Sequence, residues 1–352
     1  MLANDRLIRA IFRQKLDRTP VWMMRQAGRY LPEYREVRKK AGDFLSLCKN
    51  PELACQVTLQ PIERFPLDAA IIFSDILTIP DAFGLDLQFV EGEGPCFNNP
   101  IRTSQAITSL PHIIPELELA YVMDAIRMAK QALGNKLPLI GFAGSPWTLA
   151  CYMIEGSTSK NFNEIKRFLY RDPVLLHQLL SHLSHATTDY LNAQIAAGVD
   201  VLMIFDTWGG LLSRSHYLEF SLRYMQEIIQ GLKPAEKKQK VPVILFTKNS
   251  GLHLEEISRT ACDAIGLDWM TDLREARQKV GNRVALQGNL DPAALYAEPD
   301  IIKQSVKRIL EEFGQGSGHI FNLGHGISPD VDPSHVAVMI EAVHEWSPAY
   351  HR

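Results

Sequence analysis

The chain has 352 residues, of which 46% are hydrophobic and 22% are charged, and its formal net charge at pH 7 is −3. This is the balance of an ordinary globular protein, and it provides no overall charge that would draw the chain to nucleic acid or to a membrane surface. No apolar run approaches the roughly 18 residues that a membrane span requires. We therefore expect no nucleic-acid or membrane partner, and any anion-binding site must be a local cluster.

The amino-terminal segment is typical of a capped amphipathic helix. Asn4 and Asp5 precede the stretch Leu7–Phe12, which Arg9 interrupts, whereas a signal peptide needs an uninterrupted apolar region. The five cysteines are odd in number and scattered, which favours reduced thiols over a disulfide framework. Both features predict a cytoplasmic location.

Eight short runs are continuously apolar and rich in β-branched or aromatic residues, as are strands buried on both faces of a parallel sheet. In chain order they are Val21–Met24, Ala69–Phe73, Leu139–Phe142, Val201–Phe205, Val243–Phe246, Ala264–Leu267, Val284–Leu286 and Ile320–Leu323. Helical patterns between them include Glu116–Leu133, Pro173–Ala197, Ser213–Gly231 and Ile301–Phe313. The alternation predicts an α/β fold in which residues 1–352 form a single (β/α)8 TIM barrel, with an open doubly wound sheet as the alternative.

Two connecting segments have a distinct composition. The stretch Glu91–Arg102 contains two glycines and two prolines, which predicts a loop or hairpin inserted after the second strand. The segment Lys233–Lys240 is basic and predicts a solvated surface loop.

Polar or ionisable residues follow most of the predicted strands. In strand order they are Arg25, Ser74-Asp75, Ser145, Asp206-Thr207, Gln287-Gly288-Asn289 and Gly324-His325-Gly326. In barrels the active site forms at the carboxyl ends of the strands and in the loops after them. The pattern therefore predicts that these groups converge on one mouth.

Arg25 and Arg29 leave the end of the first strand with Gly28 between them. A guanidinium presents a rigid donor fork that matches carboxylate or phosphate, so paired arginines at a mouth favour an anionic substrate. For Arg35 we favour a surface salt bridge with Glu33 or Glu36.

Asp75 has two equally supported interpretations. It can cap a helix that begins at Ile76, a common role for Ser-Asp after a strand. It can also face several arginines, which would depress its pKa, keep it ionised and suit it to stabilising a cation in the substrate.

Tyr152 and His325 are further candidates for ligand contacts. The Tyr152 hydroxyl can donate to an anion, although a buried aromatic ring with a satisfied hydroxyl fits the sequence as well. His325 lies between Gly324 and Gly326, a pattern that fits phosphate or carboxylate binding and, equally, a structural histidine. The sequence has no Gly-x-x-x-x-Gly-Lys-Ser/Thr loop, no His-Glu-x-x-His and no Cys-x-x-Cys, so it predicts neither a metal nor a nucleotide.

Four segments resemble the uroporphyrinogen decarboxylase family. They are Pro20–Tyr34, Ile71–Leu77, Gly141–Gly156 and Asn322–Gly326, in that order, within a similarity that runs from about residue 4 to about residue 345. The resemblance implies a homodimer of single-domain barrels that uses no cofactor and no metal. It also implies a reaction of porphyrin and haem biosynthesis, in which the four acetate side chains of uroporphyrinogen III become methyls and coproporphyrinogen III is formed.

The resemblance also implies roles for individual residues. Catalysis is assigned to Asp75, Arg25 and Arg38, and substrate contacts to Arg25, Gln26, Ala27, Gly28, Arg29, Asp75, Tyr152, Thr207 and His325. Thr207 stands where the family often has serine, so the hydroxyl is kept. Protonation of the pyrrole ring would make it the electron acceptor for the departing carboxyl group, and Asp75 would stabilise the cation. The proton donor stays open among an arginine, His325 and an ordered water.

Two other functions remain alternatives. Corrinoid methyltransferases share the barrel but bind zinc through His and Cys, and this chain lacks a His-x-Cys pair. A non-catalytic tetrapyrrole carrier is the other; it would bind uroporphyrinogen without releasing carbon dioxide.

Overall fold

The computed structural model describes residues 2–90, 94–235 and 240–351. Its strands, in chain order, are β1 (Ala70–Ile71), β2 (Leu87–Val90), β3 (Gly94–Phe97), β4 (Leu139–Gly144), β5 (Val201–Asp206), β6 (Val243–Thr247), β7 (Ala264–Gly266), β8 (Ala285–Gln287) and β9 (His319–Ile320). Seven of them form one parallel sheet in the order β1-β4-β5-β6-β7-β8-β9. The α/β fold with a parallel sheet is thus confirmed.

The first predicted strand is not a strand beyond Val21, so that part of the prediction is wrong. Val21 makes one parallel bridge to Phe321, with a 2.8 Å bond from the Phe321 amide to the Pro20 carbonyl. On its other side the Val21 carbonyl accepts the amide of Asp68 at 2.8 Å. The run up to Met24 is buried as expected, but the Met24 amide donates to the Asn322 side chain at 3.1 Å instead of to a neighbouring strand.

The helices surround the sheet and alternate with its strands. They are α1 (Arg6–Ile11), α2 (Pro32–Ala41), α3 (Phe44–Cys48), α4 (Pro51–Arg64), α5 (Thr78–Ala82), α6 (Ser104–Thr108), α7 (Pro115–Glu118), α8 (Ala120–Leu133), α9 (Pro146–Glu155), α10 (Asn163–Arg171), α11 (Pro173–Ala197), α12 (Arg214–His216), α13 (Arg223–Gly231), α14 (Leu254–Ile257), α15 (Leu273–Val280), α16 (Pro299–Phe313) and α17 (Pro333–Trp346). A π-helical segment, Tyr217–Leu222, joins α12 to α13, and short 3₁₀ turns cover Gly209–Leu211, Pro292–Tyr296 and Ser347–Tyr350.

The predicted helix Pro173–Ala197 is confirmed at both ends. Its first turn is capped by the side chain of Asp172, which accepts the Leu175 amide at 3.0 Å, and it ends at Gly198 in the left-handed conformation. The predicted hairpin is confirmed as well, although its first strand begins earlier, at Leu87, and residues 91–93 lie outside the described part of the chain. Within the predicted basic loop, residues 236–239 also lie outside it.

A buried ion pair fixes the amino-terminal end of the sheet. The carboxylate of Asp68 accepts both Nη atoms of Arg18 at 2.9 Å and also the Val21 amide at 2.9 Å. Asn4 donates to the same carboxylate at 2.8 Å. Since Asp68 directly precedes the second predicted strand, this cluster holds the Val21 segment between the two edge strands of the sheet.

Candidate active site

The segment that follows Val21 and the segment that follows β9 meet at Arg25. The Ile327 amide donates to the Met24 carbonyl at 3.1 Å, and Arg25 itself has a positive φ of 61°, which non-glycine residues seldom adopt. The Arg25 side chain lies directly on Gly326, where an added Cβ would stand 2.7 Å from Cγ and 2.8 Å from Nε. Glycine at 326 therefore makes the room that Arg25 occupies beside His325.

The segment Gln26–Arg29, which follows Arg25, forms a turn that Gln26 anchors. Gln26 is fully buried, and its side chain donates to the Ala69 carbonyl and accepts the Met23 amide, both at 3.1 Å. Among the described residues, no protein acceptor bonds the amides of Ala27, Gly28 or Arg29. A fixed turn with three available N–H groups is suited to an anion.

Asp75 lies half-buried after β1, and one of its oxygens, Oδ1, accepts the Leu77 amide at 2.8 Å. Burial raises the pKa of Asp75, while the Leu77 amide and the charge of Arg25 oppose that rise. The expected depressed pKa is therefore wrong, because desolvation outweighs both favourable contacts. The expected cap of a helix that begins at Ile76 is wrong, because α5 begins at Thr78 after the N-cap residue Leu77 and no side chain caps it.

The other predicted arginines do not gather around Asp75. The guanidinium of Arg38 is half-buried and donates to the Gly42 carbonyl at 2.8 Å, at the end of its own helix. Arg29 is exposed, and its carbonyl accepts the Arg35 side chain at 3.2 Å. Arg35 thus contacts a carbonyl, and it forms no salt bridge within the described residues.

Tyr152 belongs to α9 and shares its surroundings with Asp75 and Arg25. Burial raises the pKa of its phenol, the charge of Asp75 raises it further, and the charge of Arg25 lowers it. The phenol is therefore protonated at neutral pH and can donate a hydrogen bond. Its ring packs edge-on against Trp208 at 6.1 Å between centroids.

His325 is neutral in this environment. Burial lowers its pKa to about 4, and the positive charges of Arg25 and Lys248 act in the same direction. Its ring meets Phe246 at 6.1 Å and Trp269 at 6.4 Å between centroids, in T-shaped contacts.

Thr207 follows a buried hydroxyl network. The Asp206 carboxylate accepts four hydroxyl groups, from Ser145 at 2.6 Å, Thr148 at 3.0 Å, Ser221 at 2.8 Å and Thr247 at 3.1 Å. Two of the polar groups predicted at strand ends, Ser145 and Asp206, thus bond to each other below the surface. Thr207 is half-buried, and its hydroxyl bonds no protein group in the part of the chain that the structure describes.

A row of aromatic rings, which the sequence reasoning missed, crosses the strand ends. Phe142 contacts Phe205 at 5.5 Å, Phe205 contacts Phe246 at 6.1 Å, and Phe246 contacts His325. A signal was present, because three successive predicted strands end in phenylalanine. Phe142 and Phe246 are buried and Phe205 is partly exposed, so the row forms an apolar layer beneath the strand ends.

Lys248 was also missed, although it follows β6 in the sequence as Arg25 follows Trp22–Met24. Its Nζ lies 5.7 Å from the centroid of Trp269. Among the residues that the structure describes, Arg25, Arg29 and Lys248 form no salt bridge with any carboxylate. Three positive charges without salt-bridge partners predict a ligand with several negative groups.

The described residues contain neither a cluster of metal-ligating side chains nor a helix that could span a membrane. No group of three or more His, Cys, Asp and Glu side chains there is placed to hold a metal ion. No helix there is long and apolar enough to cross a membrane.

Comparisons with solved structures identify related folds. A methyltransferase from Methanosarcina mazei superposes with a TM-score of 0.82 at 20% sequence identity, over 98% of this chain and 99% of the other. A B12-independent methionine synthase from Shewanella sp. W3-18-1 gives 0.56 at 11% identity, over 84% and 88%. At these identities the likeness concerns the fold alone.

Comparisons of sequence are far closer. The family model described as uroporphyrinogen decarboxylase matches residues 2–346. The protein named uroporphyrinogen decarboxylase from Methylococcus capsulatus is 62% identical over 345 residues, covering 98% of each chain. The protein of that name from Idiomarina loihiensis is 59% identical over 350 residues, covering 99% of this chain and 98% of its own. The chain belongs to the uroporphyrinogen decarboxylase family.

Proposed function

We propose that the protein removes the four acetate carboxyl groups of uroporphyrinogen III without a cofactor and forms coproporphyrinogen III, in porphyrin and haem biosynthesis. The observation that carries the proposal is that the charge of Arg25 acts on both Asp75 and neutral His325, in a chain of this family. The proposal includes action on a small molecule in the cytoplasm and no nucleic-acid partner, in keeping with the net charge of −3.

The chemistry needs an electron acceptor, and the pyrrole ring can serve as one. A proton added to a ring carbon makes a cation conjugated with the acetate. The bond to the carboxylate carbon then breaks, carbon dioxide leaves, and the electron pair neutralises the cation as an exocyclic methylene. A proton added to the methylene carbon and loss of the ring proton leave a methyl group, so one proton is consumed overall.

Asp75 stabilises the cation in this proposal by accepting pyrrole N–H groups. A carboxylate about 4 Å from a unit positive charge gains roughly 4 kcal/mol at an effective dielectric of about 20, before desolvation costs. Because burial raises its pKa, Asp75 is ionised less readily in the empty site. Pyrrole N–H donors and the cation itself favour the ionised form of Asp75. The bound substrate therefore lowers the pKa that burial raises in the empty site.

The remaining site residues hold side chains of the substrate. Arg25, Arg29 and the amides of Ala27 and Gly28 bind acetate or propionate carboxylates, and Gln26 fixes their turn from below. The Tyr152 hydroxyl donates to a further carboxylate. The Thr207 hydroxyl and the neutral His325 imidazole also contact the substrate. Arg38 takes part in catalysis only after its guanidinium leaves the Gly42 carbonyl, which is its partner in the empty site.

Anaerobic incubation with uroporphyrinogen III followed by mass spectrometry tests the reaction. We expect four successive losses of carbon dioxide and accumulation of coproporphyrinogen III. Binding without any loss of carbon dioxide would contradict the proposal and would favour the carrier function.

We also propose that residues 20–22 complete a closed (β/α)8 barrel formed by the single domain 1–352. The support is that the Val21 segment is hydrogen bonded on one side to Phe321 and on the other to Asp68, the neighbours of the two edge strands. Amide exchange tests the closure. The Phe321 and Asp68 amides should exchange as slowly as those of β5, and fast exchange at both would contradict it.

We further propose a homodimer. Leu252, Trp269 and Met270 are 84%, 38% and 73% exposed, and their loops adjoin, because the Asn249 amide donates to the Asp268 carboxylate. An exposed apolar cluster of this kind favours association. The variant Leu252→Glu/Met270→Glu should sediment as a monomer, whereas Val174→Glu, at an equally exposed position on α11, should not change the mass. A monomeric wild-type protein would contradict the proposal.

A further inference from the structure

Lys248 directly follows β6, and none of the substrate-binding residues proposed above lies on that strand or the loop after it. Its amide donates to the Asp206 carbonyl at 3.3 Å, which continues the pairing of β5 with β6 by one residue. Its Nζ lies over the Trp269 ring, and its charge lowers the pKa of His325 after burial and Arg25. Lys248 is therefore close enough to His325 to act on the same part of the mouth.

The two cations near His325 contact different neighbours of that residue. Gly326, which follows the histidine, lies against the side chain of Arg25. Gly324, which precedes it, lies against the backbone of Trp269, over whose ring Lys248 rests. Arg25 thus reaches His325 by way of Gly326, and Lys248 by way of Trp269.

The backbone of Lys248 is held on both sides. An added Cβ at Gly210 would collide with the Lys248 carbonyl oxygen and would stand 2.7 Å from the Asn249 Cβ, so the loop after β5 packs directly on this residue. On the other side Asn249 has a positive φ of 62°, and its amide donates to the Asp268 carboxylate. The side chain consequently starts from a fixed point, while its flexible stem can follow a ligand.

The carboxylates of Asp206 and Asp268, whose residues contact the Lys248–Asn249 backbone, already accept several hydrogen bonds. Asp206 is satisfied by its four hydroxyl donors. Asp268 accepts the Asn249 amide, the Met270 amide at 3.0 Å and the Thr271 hydroxyl at 3.2 Å. In the described part of the chain Lys248 has no ionic partner, although it is partly buried at the site. A partly buried cation gains most from an anion that arrives with the ligand.

We propose that Lys248 is a further substrate-binding residue, which holds a carboxylate of the tetrapyrrole on the Trp269 side of His325. The inference rests on the proposed function and adds a specificity element to it. A macrocycle with carboxylates around its edge reaches both cations at once, whereas a small monocarboxylate reaches only one. Lys248 therefore selects ligands by the spacing of their negative groups.

The test compares neutral and charged replacements of Lys248. Lys248→Met keeps much of the stem and removes the charge, Lys248→Arg keeps the charge, and Lys136→Met removes a charge from an exposed loop that precedes β4, at the other end of the sheet. With uroporphyrinogen we expect Lys248→Met to raise KM about tenfold, or about 1.4 kcal/mol. Its kcat should stay within about twofold of wild type, and Lys248→Arg should recover most of the loss in KM.

Salt separates a charge contact from a packing contact. At about 1 M salt the Debye length falls to about 3 Å, so the difference in KM between wild type and Lys248→Met should shrink. A structural role over Trp269 would leave that difference unchanged. If Lys248→Met fails to fold, as judged by circular dichroism, Lys248→Gln replaces it in the same assays.

Three results would overturn the inference: a wild-type KM in the neutral variant, a loss in Lys248→Arg as large as in the neutral variant, or a KM difference that salt does not change. Equilibrium titration with uroporphyrin, the oxidised form that bears the same carboxylates, keeps the inference separate from the proposed function. If wild type releases no carbon dioxide but Lys248→Met binds uroporphyrin about tenfold more weakly, the proposed function fails and the carboxylate contact stands. Equal affinities would reject the contact.

Discussion

Opposing effects act on the pKa of the Asp75 carboxyl group. Desolvation raises it, and the Leu77 amide and the charge of Arg25 lower it. Burial raises its pKa, so the folded state binds the proton more tightly than the unfolded state does. The contribution of Asp75 to stability is then present below its unfolded pKa and is lost as the pH rises through its folded pKa. At neutral pH the ionised group is a cost to folding that only its chemical role explains.

Asp75→Asn separates that cost from that role. The amide oxygen can still accept the Leu77 amide, and no buried charge remains, so we expect a melting temperature at pH 7 equal to or above that of wild type. We expect turnover to fall by about a hundredfold or more, because the cation loses its counter-charge. Thermal unfolding and release of carbon dioxide measure the two effects. An active variant would reject the cation-stabilising role.

Gly326 controls the position of Arg25. Gly326→Ala places a methyl group where Cγ and Nε of Arg25 now lie, so the guanidinium must move away from its place. We expect KM to rise about tenfold while the melting temperature changes little, since a flexible side chain yields more easily than backbone.

A double-mutant cycle with Arg25→Lys checks the cause. If the methyl group acts through Arg25, the double variant should be hardly worse than Arg25→Lys alone. Strictly additive losses would mean that Gly326 acts on something else.

For individual residues, the sequence predicts where a side chain lies better than it predicts its protonation state. Arg25 and His325 follow buried segments, and the structure places both at the same mouth, as predicted. The pKa of Asp75 depends on how many guanidinium groups reach it, and Arg38 instead bonds to Gly42 at the end of its own helix. That choice of rotamer leaves no trace in the sequence pattern.

Among the elements, the segment after Val21 shows how side chains can replace a strand partner. The Met23 amide donates to Gln26 Oε1 and the Met24 amide to Asn322 Oδ1, both at 3.1 Å. The apolar run correctly predicts burial, since Trp22 and Met23 are completely buried. It cannot predict that amide side chains take the place of the backbone ladder and turn the chain toward Arg25.

The π-helical segment Tyr217–Leu222 supports the end of β5 through Ser221, whose hydroxyl donates to Asp206 at 2.8 Å. In Asp206→Asn the side-chain nitrogen cannot accept hydroxyl donors, so two of the four bonds lose their acceptor. We expect a loss of about 2 kcal/mol or more in the free energy of unfolding, measured with urea. Ser221→Ala, which removes one donor, should cost less. Equal stability of Asp206→Asn and wild type would show that the hydroxyls simply reorient.

For the whole molecule, three histidines link stability to pH: His319 is buried, and His325 and His344 are half-buried. Burial lowers the pKa of His319 to about 3, and it lowers those of His325 and His344 to about 4. Unfolding returns each to about 6.5, so the unfolded state binds more protons at acidic pH. The stability that these neutral rings permit is present above about pH 6.5 and is lost as the pH falls toward 4.

Urea midpoints measured between pH 7 and pH 4.5 test this linkage. We expect stability to fall with pH, and His319→Gln should make the fall shallower, because one proton-binding group is removed. His185→Gln, at an exposed position on α11, is the matched control and should leave the slope unchanged. A slope in His319→Gln as steep as in wild type would contradict the assignment.

Much of the architecture was predictable from sequence, since burial on both faces and helical caps leave local patterns. Seven of the eight predicted strands are present, and α11 has the predicted ends because Asp172, Pro173 and Gly198 mark them. The contacts of Val21 with Asp68 and Phe321 were not predictable, because they join residues far apart in the chain. They arise from packing of the whole sheet.

In the described part of the chain Arg25, Arg29 and Lys248 form no salt bridges, which also bears on how a catalytic cycle would end. On the proposed reaction, the ligand surrenders one negative charge with each carbon dioxide, while the positive charge of the protein stays constant. Affinity should therefore decline stepwise from substrate to product, and fresh substrate should displace its own partly processed forms. The empty protein would regain its binding capacity through electrostatics alone.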